Sequence, residues 1–202
     1  MPKQAAEAST RPSLANNTKA RTRSLVLCAL FCAFIAVGAF VKVPVPVVPF
    51  TLQFLFTTMA GLLLGPRWGT LSVAAYVALG LIGLPIFASG GGIGYLAQPS
   101  FGYLIGFCAG TYLTARIAWA TPRPSMKRLL AACFAGLGVV YLIGMVYFYL
   151  ISNFVIGAPI ALGPLVLYCF VLAVPGDIAL CFASAALAKR LLPLISQKQG
   201  RA

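Results

Sequence analysis

The chain is a series of long apolar runs that carry almost no charge. The runs cover residues 24–41, 51–64, 71–84, 101–120, 129–151 and 165–192. As a helix, the first can cross about 27 Å of hydrocarbon, at about 1.5 Å per residue. The last is too long for one straight crossing, and Pro175 with Gly176 divides it into a short piece and a final helix. This pattern predicts an all-α integral membrane protein, a bundle of six helices.

Polar segments flank the apolar region and divide the chain into an N-terminal tail, a membrane domain and a C-terminal tail. Residues 1–23 are rich in Ala, Ser, Thr and Asn, and we expect a flexible tail there. The six-helix domain covers residues 24–192, and a second tail covers 193–202. The first apolar run has the basic flank of a signal peptide, but it is longer than a usual signal core, so we interpret it as a retained helix.

Composition supports a membrane location. Hydrophobic residues make up 61% of the chain and charged residues 8%, too little charge to cover the surface of a water-soluble domain. The net charge is +13. The cations lie at the ends of apolar runs, as in the flanks of membrane helices, and not on an aromatic-laced face that could follow a nucleic acid. Nucleic-acid binding is therefore not expected.

The distribution of cations predicts the orientation. Of 15 Lys and Arg residues, six crossings leave Lys42 alone on one side and all the others on the opposite side. Under the positive-inside rule, both termini are cytoplasmic. The external connections are then 42–50, 86–100 and 153–164.

The external connection 86–100, IFASGGGIGYLAQPS, is rich in glycine and free of charge. Irregular backbone beside lipid must lie outside the hydrocarbon, be buried in protein or line a cavity. We therefore expect this Gly-rich loop to cover an outward-facing pocket. Its candidate binding residues are Gly91, Gly92, Tyr95 and Gln98.

Asp177 is the single acid after Glu7, and it follows Pro175 and Gly176 at the outer start of the last helix. An acid in a membrane segment is costly and usually faces a cavity or a partner. Capping of the helix is the alternative role. Lys42 is a candidate for anion binding or an ordinary interfacial lysine. Further candidate ligand contacts are Gln53, Asn153 and Tyr103. The glycines at 102, 106 and 110 predict close packing of a neighbouring helix.

Catalytic and metal-binding groups are missing from the sequence. It has no histidine, no CxxC pair among six cysteines, no GxSxG and no GxxxxGK[ST] phosphate loop. We expect no cofactor, no metal and no enzyme activity, and any ATP-driven work requires other subunits. An enzyme or assembly factor that uses a cysteine or Asp177 as nucleophile is a weaker alternative, because no base accompanies them.

Several segments in one frame resemble the BioY family. They are VPFTLQ at 48–53, GPRWG at 65–69, GLIGLPIFASGGGIGYL at 80–96, PSFGYLIGF at 99–107 and PGD at 175–177. The resemblance covers about residues 24–192. It implies a biotin-binding S component of an energy-coupling-factor vitamin transporter in the bacterial plasma membrane. It also implies that Asp177 binds the ligand and that the Gly-rich loop lies over the pocket.

The resemblance also implies partners. They are biotin, membrane lipid, a transmembrane T component and paired cytoplasmic ATPases, with Ala29 and Ala33 as the docking pair for the T component. The family pattern places cations where this chain has Leu180 and Leu104, so Lys42, Tyr95, Tyr103 or loop amides are left to hold the ligand carboxylate. A secondary carrier, or an S component for a different vitamin-like solute, is the alternative.

Overall fold

The computed structural model describes residues 14–43 and 50–199 and is mostly helical. The helices are α1 Leu14–Phe40, α2 Gln53–Leu81, α3 Phe101–Ala118, α4 Met126–Leu150, α5 Leu162–Val166 and α6 Val174–Gln199. A short antiparallel ribbon pairs β1 Lys42–Val43 with β2 Phe50–Thr51. The Pro-rich stretch between these strands lies outside the described residues.

Two helices extend into the predicted tails. Helix α1 begins at Leu14, so residues 14–23 of the predicted flexible tail are helical. Helix α6 continues through Pro193 to Gln199. No glycine or proline interrupts residues 14–23, and Ala, Lys and Arg are good helix formers, which accounts for the longer α1. Residues 1–13 and 200–202 lie outside the described part.

Helix α2 is a hairpin of two arms, residues 53–64 and 66–81, that meet at Gly65. Gly65 has φ 82° and ψ 179°, a conformation open mainly to glycine, and it ends the first arm. The Gln53 amide donates to the Tyr76 hydroxyl at 2.7 Å. In one straight helix these residues would lie about 34 Å apart. The arms are therefore antiparallel, and the turn predicted at GPRWG is confirmed.

Trp119 closes the tip of this hairpin. Its indole Nε1 donates to the Leu62 carbonyl oxygen at 2.9 Å, and its ring lies against Gly65. The last carbonyl groups of a helix have no partner within the helix. Trp119, the residue directly after α3, supplies one such partner and so joins the end of α3 to the end of the first arm.

Four helical segments in the described residues are long and apolar enough to cross a membrane. They are Arg21–Phe40, Gln53–Leu81, Met126–Val155 and Leu162–Pro193. The last two include short π-helical turns, Ile151–Val155 and Leu167–Val171. The predicted division of the last apolar run is confirmed, because α5 and its π turn precede α6, which begins at Val174.

Small residues set the distance between α3 and α4. A Cβ placed on Gly106 would lie 2.9 Å from the Val140 carbonyl oxygen, and one on Gly110 would lie 2.8 Å from the Gly136 carbonyl oxygen. A Cβ on Gly102 would meet the Tyr147 side chain. Small residues in this pattern let helix backbones approach closely. The predicted packing role of Gly102, Gly106 and Gly110 is therefore confirmed.

The molecule has a basic end, formed by the α2 tip, the 119–125 turn and the last turns of α6. There the Lys189 ammonium donates to the Pro124 carbonyl oxygen at 3.0 Å, and Arg128 Nε donates to the Ile117 carbonyl oxygen at 2.8 Å. The β ribbon, the Gly-rich loop and the start of α6 lie at the opposite end, which we call the loop end. A cavity opens within the loop end.

Candidate ligand-binding site

The loop-end cavity lies between α2, α3, α4, α6 and the Gly-rich loop. Its volume is about 70 Å³, which exceeds the roughly 10–15 Å³ that a single water requires. The lining residues are Phe50, Thr51, Gln53, Phe54, Ala88, Ser89, Tyr95, Ser100, Tyr103, Leu104, Phe107, Val140, Tyr141, Cys169, Ala173 and Asp177. Aromatic and aliphatic walls with a few polar groups are typical of small-molecule sites.

Asp177 is the one charged side chain among the described residues that line the cavity. It is buried, in the first turn of α6. The Tyr141 hydroxyl donates to its Oδ2 at 2.5 Å. Pro175 fits the start of a helix because its missing N–H has no partner to lose there. Gly176 leaves space for Phe50, whose Cε2 would be 2.6 Å from a Cβ at that position. These two residues place Asp177 at the cavity wall.

Gln53 lines the cavity and belongs to a series of linked hydrogen bonds. The Thr51 hydroxyl donates to Gln53 Oε1 at 3.2 Å, and Gln53 Nε2 donates to the Tyr76 hydroxyl at 2.7 Å. The Tyr76 hydroxyl in turn donates to the Ile86 carbonyl oxygen at 2.9 Å. An amide group has two donors and two acceptor lone pairs. Gln53 therefore keeps hydrogen-bonding capacity for a ligand while these hydrogen bonds fix its orientation.

The Gly-rich loop is tied to the helices through its backbone. The Gly92 amide donates to the Gly80 carbonyl oxygen at 2.7 Å, and Gly92 has φ 95°. Gly91 lies so near the Leu84 carbonyl oxygen that a side chain has no room. Phe87 is 1% exposed and packs 4.6 Å from the Tyr95 ring, measured between centroids. This anchoring holds the loop segment that contributes Ala88, Ser89, Tyr95 and Ser100 to the lining.

Four residues predicted from the sequence meet in the cavity. Asp177, Gln53, Tyr95 and Tyr103 all line it. The Tyr103 hydroxyl donates to the Cys169 carbonyl oxygen at 3.3 Å, within the π-helical turn before α6. Turns of this kind are frequent at functional sites. The structure therefore brings together candidates that come from four separate segments of the chain.

The other predicted ligand contacts lie outside the lining. Gly91 and Gly92 support the loop, and Gln98 is exposed beyond it. Asn153 Nδ2 donates to the carbonyl oxygens of Tyr149 at 2.9 Å and Ile160 at 3.3 Å. The Asn153 amide therefore joins the end of α4 to the linker that precedes α5.

Lys42 lies beside the cavity without lining it. Its ammonium donates to the carbonyl oxygen of Ala88, a lining residue, at 3.0 Å, and its side chain is exposed. Leu104 lines the cavity, and Leu180 does not. Ala29 and Ala33 do not line the cavity, and both are exposed along the middle of α1.

Sequence reasoning missed Tyr141, which contacts Asp177 directly. It also missed the aromatic wall residues Phe50 and Phe107. Tyr141 lies within the apolar run of α4, where a tyrosine has no neighbouring polar residue to mark it. A tyrosine hydroxyl in the middle of a membrane segment needs a hydrogen-bond partner. That requirement could have identified Tyr141 as a candidate from the sequence.

Comparison with known proteins identifies the family. The family model described as the BioY family matches residues 11–197, nearly the whole chain. This chain belongs to the BioY family. BioY proteins are transporters and not enzymes, and the apolar helices make this member a multi-pass membrane protein.

Two relatives and a solved structure agree with this membership. The chain is 42% identical over 170 residues to the probable biotin transporter BioY of Lysinibacillus sphaericus, covering 84% of this chain and 87% of the relative. It is 42% identical over 124 residues to the biotin transporter BioY of Thermotoga maritima, covering 61% and 72%. A crystal structure of the S-component for biotin from an ECF-type ABC transporter superposes with a TM-score of 0.72 at 29% identity, covering 86% and 92%.

Proposed function

We propose that this chain is the biotin-binding membrane subunit of an energy-coupling-factor transporter, which captures biotin from outside the cell and mediates its uptake. The observation that carries the proposal is the loop-end cavity, with one buried carboxylate in an otherwise uncharged wall, in a chain of the BioY family. The names of its relatives, biotin transporters, support the choice of ligand.

The chemistry of biotin matches the cavity. Its ureido ring presents two N–H donors and a carbonyl acceptor, and its fused rings and chain are apolar. Asp177 accepts a hydrogen bond from one ureido N–H. The Gln53 side-chain amide forms a hydrogen bond with another polar group of the same ureido head. Phe54, Leu104 and Phe107 are the lining residues that pack against the apolar body. A few polar groups then fix the orientation of biotin, and the apolar walls bury most of its apolar surface.

The Gly-rich loop covers the occupied cavity in this proposal. Tyr95 completes the wall from the loop, and Gly91 and Gly92 are the close-approach and hinge positions that let the loop open and close. Gln98 and Asn153 act at the rim of the pocket and contact biotin only after the loop moves. Tyr103 contacts the ligand from α3.

Lys42 is proposed to pair with the biotin carboxylate. Replacing Lys42 with methionine should weaken biotin binding about two- to fivefold, the upper part of the range of an exposed ion pair. Binding of biotin methyl ester should be unchanged, because the ester has no charge to pair. Isothermal titration of both ligands to purified protein measures the difference.

Lys127 at the basic end provides the matched control, because it is an exposed lysine far from the cavity in the fold. Lys127→Met should leave both affinities unchanged. Equal losses for biotin and its ester in Lys42→Met would contradict the pairing and indicate that Lys42 acts through its bond to the loop.

Six crossings are proposed, formed by α1, the two arms of α2, α3, α4 and α6, with α5 as a short additional piece. The basic end is proposed to be cytoplasmic, with both termini on that side of the bacterial plasma membrane, because cytoplasmic flanks are enriched in Lys and Arg. Residues 24–192 then form the membrane domain. The loop end, with the cavity, faces outward.

The partners are proposed from family membership and the exposed surface. Ala29 and Ala33 leave a shallow exposed strip on α1 on which a helix of the T component can pack closely. Lipid covers the exposed apolar side chains around the bundle. Cytoplasmic ATPase subunits power uptake through the T component.

Binding of labelled biotin to the purified chain tests the function. We expect saturable binding at submicromolar concentration that unlabelled biotin displaces and other vitamins do not. Displacement by a different vitamin would favour an S component for that solute. Uptake that is equal with and without the ATPases and the T component would indicate a secondary carrier.

A further inference from the structure

We infer that Tyr141 is a positioning residue for the ligand, which acts by holding the Asp177 carboxylate so that its second oxygen is presented to the cavity. The inference rests on the proposed biotin site and adds to it a residue that neither the motifs nor the family resemblance singled out. The observation behind it is one hydrogen bond between helices that are far apart in the chain.

The Tyr141 hydroxyl donates to Oδ2 of Asp177 at 2.5 Å, across 36 positions of sequence from α4 to α6. Both residues line the cavity. Within the described part of the chain, no donor lies on Oδ1 of Asp177. A carboxylate accepts on both oxygens. One oxygen is therefore occupied by the protein, and the other remains to accept a ligand N–H.

Aromatic neighbours hold the Tyr141 ring in place. It makes perpendicular contacts with Tyr103, at 6.0 Å between centroids, and with Phe170, at 5.2 Å. Gly144, about one turn further along α4, leaves the space that Tyr103 needs, since a Cβ there would be 2.6 Å from the Tyr103 ring. The hydroxyl is therefore directed before any ligand arrives, which reduces the ordering cost of binding.

Packing alone does not explain a tyrosine at this position. Tyr141 is 4% exposed, and a phenylalanine would keep both ring contacts. The hydroxyl adds only the bond to Asp177. A buried hydroxyl without a partner is costly, and so is a buried carboxylate without a donor, so the two groups satisfy each other.

Tyr141→Phe tests the inference by removing the hydroxyl and keeping the ring. We expect biotin affinity to fall about ten- to a hundredfold, the range for a hydrogen bond to a charged group. The loss should be equal for biotin and biotin methyl ester, because Tyr141 acts at the ureido end. A loss confined to biotin would overturn the inference and place the hydroxyl on the ligand carboxylate. The exposed Tyr112 provides the control, and Tyr112→Phe should bind like the wild type.

A double-mutant cycle separates positioning from general structural support. In Asp177→Asn protein the charged acceptor is absent, so adding Tyr141→Phe should weaken binding by less than threefold. A further loss of tenfold or more in that background would overturn the inference, because Tyr141 would then act independently of the carboxylate. This comparison is between Asp177→Asn and the double variant, and neither protein has a buried carboxylate without a donor. The comparison can therefore be made even if Tyr141→Phe alone does not fold. Wild-type protein that does not bind biotin would overturn the proposed function instead.

Discussion

Asp177→Asn is expected to weaken biotin binding by about a hundredfold or more. The substitution removes a charge-assisted hydrogen bond to the ureido N–H, worth about 1.5–3 kcal/mol. It also introduces amide donors beside the Tyr141 hydroxyl and the ligand N–H groups, and an unpaired buried donor costs about a further 1–3 kcal/mol. A tenfold loss corresponds to about 1.4 kcal/mol, so the two effects together, about 2.5–6 kcal/mol, correspond to a loss of about a hundredfold or more. Titration of purified protein with biotin measures the affinity.

The same variant should remain folded. Asp177 has no cation partner among the described lining residues, and removing a buried charge relieves its desolvation cost. The melting temperature without ligand should therefore stay equal or rise. Ser184→Ala is the matched control on α6, because Ser184 is buried with an unpartnered hydroxyl away from the cavity lining. Unchanged biotin affinity in Asp177→Asn would show that another residue recognises the ureido head.

Gly136→Leu is expected to lower the free energy of unfolding by about 3 kcal/mol or more. A Cβ at Gly136 would meet the Thr114 hydroxyl and lie 3.0 Å from the Gly110 carbonyl oxygen. Thr114 cannot move away without losing its bond to the Ala132 carbonyl oxygen at 3.1 Å. Overpacking of a tight interface costs about 1–3 kcal/mol and occasionally more, and a leucine must also separate two backbones. At about 2–4 °C per kcal/mol for a chain of this size, the melting temperature in detergent should fall by about 6–12 °C.

Gly138→Leu is the control on the same helix. Nothing lies within 4 Å of a Cβ at Gly138, and the residue is exposed. This variant should melt at the wild-type temperature or slightly above it, because leucine has the higher helix propensity. Equal destabilisation by the two variants would contradict the packing role of Gly136 and indicate a general intolerance of large residues in α4.

Much of the helical framework was predictable from particular residues. Lipid leaves no water to satisfy the backbone, so long apolar runs must be helical. The break at Gly65 marks where the first arm of α2 ends, and Pro175 marks where α6 begins. The spacing of Gly102, Gly106 and Gly110 placed them on one helix face. The contact of Gly110 with Gly136 was not predictable, because neither helical segment shows by itself which helix it packs against or at what rotation.

The candidate site was predictable in part, for a similar reason. Asp177 and Gln53 stand out because polar groups inside apolar segments are costly and need a purpose. Gln98 and Asn153 were candidates as polar residues of the predicted external connections, yet the structure places them outside the cavity lining. Composition marks a residue as unusual, but the direction of its side chain depends on the helix or loop that carries it.

The sequence by itself determined a membrane bundle with a basic end, a Gly-rich loop at the other end and one acid in the last helix. Hydropathy and charge are properties of each residue and its neighbours in sequence, so they can be determined without a structure. Only the tertiary structure decided that Tyr141 holds Asp177 and that Gln53 meets Tyr76, pairs separated by 36 and 23 positions. Such pairs depend on the distance and rotation between helices, which are set by close packing and not by any local pattern.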